Sequence, residues 1–146
     1  MRQLVILAAG LAGLLAVSTA TSAQQAKTPP GKKADQTMSI AATVAGETRT
    51  RVAYFWSVNP DCSLTGPTTV RIVTPPANGV AEVDIGPAFP AFAKDNVRYK
   101  CNQKQYDLPR VWYASKPGYR GPDALAIEVF YPTGAYRKAR VTVTVK

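Results

Sequence analysis

From Thr37 onward, apolar and polar residues alternate in short runs separated by turn-forming residues. Met38 to Val44 alternates until Gly46 interrupts it, and Arg49 to Ser57 resumes the pattern. In that second run Val52, Tyr54 and Trp56 share one face and Arg51, Ala53 and Phe55 the other, before Asn59-Pro60-Asp61 closes it. Further strands are predicted at Thr69 to Thr74, Val80 to Ile85, Val97 to Asn102, Arg110 to Ala114, Ala124 to Tyr131 and Tyr136 to Val145. The last two are the most regular. Leu125, Ile127, Val129 and Tyr131 fall on one face, and Val141, Val143 and Val145 point away from Arg140, Thr142, Thr144 and Lys146. A dry face backed by a wet one is the antiparallel signature.

The breaks are as informative as the runs. Pro75-Pro76 stops one strand and Asn78-Gly79 opens the next, a hairpin signal whose prolines ask for a longer loop than a two-residue turn. Gly86 to Asn96 carries Pro87 and Pro90 and is expected to form a loop that tucks Phe89 and Phe92 onto the sheets. Pro132-Thr133-Gly134 makes a turn before the final strand. No internal repeat and no helical pattern interrupt this texture, so residues 37–146 are expected to form one all-β, antiparallel sandwich of about seven or eight strands.

The first residues follow different rules. Arg2, the apolar run Leu4 to Val17 and the small residues Thr21-Ser22-Ala23 make Met1 to Ala23 an export signal cut before Gln24. Gln24 to Gln36 is polar, rich in Pro and Gly, and has no apolar face to bury; a disordered linker is expected, with Lys27, Lys32 and Lys33 as a weak basic arm. About 120 residues remain after cleavage, enough for one core. The expected location is the periplasm or the exterior, with no membrane span after cleavage.

Composition narrows the chemistry. The two cysteines, Cys62 and Cys101, are an even count in a small exported chain and read as one disulfide; a catalytic thiol or a metal pair is the alternative. There is no histidine, which removes the commonest general base and metal ligand. The formal net charge is +9, which suits an anionic partner and equally serves solubility.

One stretch carries more architecture than any other. Pro117-Gly118-Tyr119-Arg120-Gly121-Pro122-Asp123 is a Gly-rich corner feeding an alternating strand. Gly118 and Gly121 permit unusual backbone angles, Tyr119 can pin the corner to the sheet, and Asp123 can accept hydrogen bonds from turn amides. Together with Thr74-Pro75-Pro76-Ala77-Asn78-Gly79-Val80, Val111-Trp112-Tyr113 and the terminal Val-Thr-Val-Thr-Val strand, this order resembles bacterial cadherin-like, immunoglobulin-like repeat domains over Thr74 to Lys146. The resemblance implies an immunoglobulin-like sandwich working in adhesion, surface display or scaffolding. Leu125, Ile127, Pro122 and the cysteine pair depart from the family pattern, and the acidic clusters of calcium-binding cadherins are missing.

Catalysis and metal binding find little support. Glu82 and Asp84 lie on one strand face, but a solvated face explains them; Asp61, Asp95, Asp107 and Asp123 are scattered singly. The chain is therefore expected to be no enzyme, to hold no metal and to need no cofactor. Binding is what remains. Lys94, Arg98, Lys100, Lys104 and Arg110 fall close to Tyr99, Tyr106, Trp112 and Tyr113, and a second basic group, Arg137, Lys138 and Arg140, follows Tyr136. Cations among aromatics grip anionic polymers by charge and stacking, while a plainer reading makes the aromatics core and the cations surface decoration. On an edge strand, Arg98 and Lys100 would block aggregation.

Three functions stay open. The leading expectation is an exported, non-catalytic immunoglobulin-like module for a protein or envelope partner. An anionic polymer or glycan binder using Lys94, Arg98, Lys100, Lys104, Arg110, Tyr99 and Tyr106 is the second. The third is an inhibitor of a hydrolase acting through the Gly86 to Asn96 loop. The oligomeric state is not specified by the sequence.

Overall fold

The computed structural model describes residues 37–146; the expected export signal and linker lie outside them. Seven strands follow in order: β1 (Thr37–Val44), β2 (Thr50–Tyr54), β3 (Thr69–Thr74), β4 (Gly79–Ala88), β5 (Tyr106–Ser115), β6 (Gly121–Phe130) and β7 (Tyr136–Val145). A 3-10 helix, Tyr99–Gln103, stands between β4 and β5. One sheet has the order β1-β7-β6-β3 and the other β2-β5-β4. The second, fourth and fifth strands in one sheet, against the third, sixth and seventh in the other, is the division of an immunoglobulin-like sandwich.

The alternation in β6 and β7 produces the core directly. Leu125, Ile127 and Val129 turn inward beside Val141 and Val143, opposite Val111 and Tyr113 of the other sheet, all essentially sealed from solvent. Each aliphatic side chain so buried contributes roughly 1.5–3 kcal/mol. A smaller cluster, Val58, Ala88, Cys101, Tyr106 and Leu108, gathers around the Cys62–Cys101 disulfide.

Several expectations are corrected. Val97 to Asn102 is not a strand. Its period-two pattern is broken by exposure of Val97 (71%) and Tyr99 (42%), leaving Cys101 alone inside. Asn96 Oδ1 accepts the Arg98 amide, and successive turns run Tyr99 N–H to Asn96 O and Cys101 N–H to Arg98 O. Arg98 and Lys100 consequently guard no sheet edge. The hairpin signal at Asn78-Gly79 also fails, because β3 pairs with β6 and β4 with β5, so Pro75 to Asn78 carries the chain from one sheet to the other.

The antiparallel rule has one exception. β1 runs parallel to β7, with Thr37 opposite Lys138 and Val44 opposite Val145. A bulge between Arg51 and Ala53 disrupts the strict alternation predicted for β2, so that Val52, Ala53 and Phe55 are all buried. β4 extends through Ala88, so the proline-braced loop starts at Phe89. That ring is 49% exposed, whereas Phe92 packs on the smaller cluster.

Candidate functional site

The basic and aromatic residues singled out between Lys94 and Tyr113 are dispersed over different parts of the surface and core. Tyr106 is buried, its hydroxyl donating to Cys62 O at 3.0 Å. Lys104 Nζ donates to the same carbonyl at 3.2 Å and sits over the Tyr106 ring. Lys94, Lys100 and Tyr99 are exposed around the 3-10 helix. Arg98 turns inward, its Nε donating to Val58 O at 2.7 Å.

Arg110 belongs to another face altogether. On the outside of the three-stranded sheet it forms a two-pronged pair with Asp84, both contacts at 2.8 Å. Arg110 and Arg49 lie on the Trp112 ring at 5.2 and 4.1 Å from its centre, and Arg49 also reaches Glu82 and Asp84. The Arg110 guanidinium, then the Trp112 indole dipole and Arg49, hold the Asp84 carboxyl down to about 2. Trp112 Nε1 itself is enclosed and makes no hydrogen bond of proper geometry. Glu82 and Asp84, the carboxylates that share a strand face, are thus tied into a surface network with arginines.

The corner residues act across the molecule. Gly118 and Gly121 take φ of +72° and +122°, and the Tyr119 hydroxyl donates to Pro122 O within the corner. Asp123 accepts from Ala124 N–H beside it, yet its other partners are distant: Ala77 N–H at 3.1 Å, Asn78 N–H at 2.9 Å and the Tyr113 hydroxyl at 3.0 Å. It fastens the crossing between the sheets rather than its own turn. Glu47 completes the clasp by accepting the Gly118 N–H at 3.0 Å.

A roomy concave feature lies where β1 and β2 border the opening between the sheets. This groove of about 560 Å3 is lined by Met38 and Ile40, by Tyr131, and by six consecutive residues, Arg51, Val52, Ala53, Tyr54, Phe55 and Trp56. Arg51 to Tyr54 belong to β2, where the bulge between Arg51 and Ala53 breaks the alternation of a strand seen face-on; Phe55 and Trp56 follow it. β2 is the end strand of its sheet. Phe55 N–H donates inward to Pro109 O at 3.1 Å, so the Tyr54 amide is directed the other way, off the edge.

A second hollow of about 440 Å3 shares Met38, Trp56 and Tyr131 with the first and continues past Phe92, Arg98 and Arg137. Trp56 stacks edge-on against Phe92 and tilts against Tyr54, giving an aromatic wall. Arg51 stands at one end, over the Tyr54 ring at 4.5 Å; Arg98 and Arg137 stand at the other. No carboxylate lines either hollow, and none of the three arginines has a carboxylate partner among the described residues. Burial pushes the Tyr131 phenol up, with Arg137 pulling the other way.

Sequence reading missed Met38, Arg51, Trp56 and Tyr131 as neighbours. The available signal was local: a cation and two aromatics in Arg51-Val52-Ala53-Tyr54-Phe55-Trp56. Among the described residues no group of three or more Asp, Glu, Cys or His gathers as a metal site would require, and no helix is long and apolar enough to cross a membrane. No protein-family model and no curated protein matches this chain.

Proposed function

We propose that this chain is an exported, non-catalytic immunoglobulin-like module that binds a protein partner of the cell envelope or exterior. The carrying observation is the pair of adjoining hollows from Arg51 to Arg137, which offer an apolar floor and cationic ends with no carboxylate among their described lining residues. The disulfide supports an oxidising compartment, as does the signal-like pattern of Met1 to Ala23. The bacterial cadherin-like resemblance suits the same role, with the periplasm or cell surface as its setting.

The test is capture from envelope extract on immobilised protein at low and high salt, in parallel with Met38→Glu. The expected result is one protein retained at high salt and lost with the variant, since Met38 lines both hollows. Capture of wall polymer or lipopolysaccharide alone, released by salt, would transfer the function to the exposed Lys94, Tyr99 and Lys100. Capture of nothing overturns the proposal.

A further inference from the structure

We infer that the groove takes an acidic peptide in extended form, added as a strand to the edge of β2 that no described strand covers. The inference rests on the protein-binding reading above and specifies its ligand. Two independent features lead to it. The first is backbone geometry: β2 ends its sheet, six consecutive residues border the groove, and the Tyr54 amide is directed off the edge. An unpaired strand edge of this kind is a template for another chain, whose main-chain groups supply affinity while pockets read alternate side chains.

The second feature is charge. A strand lying along β2 would meet Arg51 at one end and Arg98 and Arg137 at the other, with no carboxylate between them among the described residues. Among the described residues, the Arg98 guanidinium bonds through its Nε alone, and Arg137 Nη1 bonds only the carbonyl of its neighbour Tyr136. Carboxylates on the incoming strand would complete both ends. Its apolar residues would rest on Met38, Ile40 and Trp56. A simple anionic lipid would satisfy the arginines and the floor but leave the strand edge unused, so the peptide is favoured.

The probe is a labelled ten-residue peptide of alternating Glu and Val, added to purified protein with its disulfide intact and followed by fluorescence anisotropy. Binding is expected to saturate, and to weaken at least tenfold with Arg51→Glu. It should also weaken at least tenfold when alternate backbone amides of the peptide are N-methylated, and vanish when Lys replaces Glu. The chain has two tryptophans, so Trp112→Phe leaves Trp56 as sole reporter, and its emission is expected to shift to the blue with the Glu-Val peptide. Equal binding of the methylated peptide, an unmoved Trp56, or binding of phosphatidylglycerol vesicles in place of the peptide would overturn the inference. Should the peptide fail while envelope capture remains sensitive to Met38→Glu, strand addition falls and the protein-binding module stands.

Discussion

The hydroxyl of Tyr113, fully enclosed between the sheets, donates to Asp123 Oδ2 at 3.0 Å, and this one carboxylate also holds the amides of Ala77 and Asn78. Residues of β5, β6 and the crossing between the sheets therefore meet at Asp123. Asp123→Ala would take the acceptor from a buried hydroxyl and from the amides of Ala77, Asn78 and Ala124, and is expected to destabilise the fold by roughly 3–5 kcal/mol. Tyr113→Phe removes only one donor and is expected to cost about 1–2 kcal/mol. Urea unfolding of the two variants and their double mutant measures the coupling; additive losses would mean that the pair does not act together.

Alkaline pH should weaken the protein through the same ring. Burial first, and the Asp123 hydrogen bond second, push the Tyr113 phenol well above its ordinary value of 10.0. The unfolded chain then releases a proton that the folded chain keeps. This contribution is complete below pH 10 and drains away as pH rises further. Urea midpoints measured from pH 8 to 11.5 should fall above pH 10, and less steeply in Tyr113→Phe. Tyr106 and Tyr131, also shifted upward, are expected to add to the slope in both proteins.

Acid acts on the opposite face of the three-stranded sheet. Asp84 is held to about 2, against an ordinary 3.8, first by Arg110. A depressed carboxyl contributes above its unfolded value and loses that contribution as pH drops toward its folded one. Between pH 4 and 2, the stability of Asp84→Asn should therefore decline less than that of the native protein. Identical acid profiles would show that the Arg110 pair has no effect on folding.

Two glycines separate space from strain. A methyl at Gly79 would meet the Tyr113 ring at 2.5 Å and Ala114 O at 2.6 Å, the second being backbone that cannot swing aside. Gly134 has φ of +79° but nothing within 4 Å of such a methyl. Gly79→Ala should cost roughly 2–3 kcal/mol, the range of an overpacked core, and Gly134→Ala about 1 kcal/mol from the left-handed backbone. Thermal unfolding of both variants checks the order.

The legible part of the sequence was the part whose partners are implied by period alone. Leu125, Ile127, Val129, Val141 and Val143 each have one dry side, and any sandwich must bury it. Val97, Tyr99 and Cys101 mimic that spacing, but the disulfide and the Asn96 turn claim the segment first. Position in sequence could show neither that β1 lies beside β7 nor that Pro75 to Asn78 changes sheets, because both depend on contacts distant along the chain. The groove was hidden for the same reason. Met38, Trp56 and Tyr131 come from separate stretches and become neighbours only when the two sheets close. The corner around Asp123 stood out in the sequence, yet its reach to Ala77 and Asn78 did not.

The parallel seam between β1 and β7 also sets a timetable. It joins residues about 100 positions apart, such as Thr37 and Lys138, and β7 lies inside its sheet between β1 and β6. Until β7 has left the ribosome, β1 has no neighbour to zip onto and β6 lacks one of its two. Loops that long close slowly, and all-β chains of this contact pattern fold in milliseconds to seconds. The four-stranded sheet thus closes only once β7 is in place, whereas the sheet β2-β5-β4 holds no strand that waits for it.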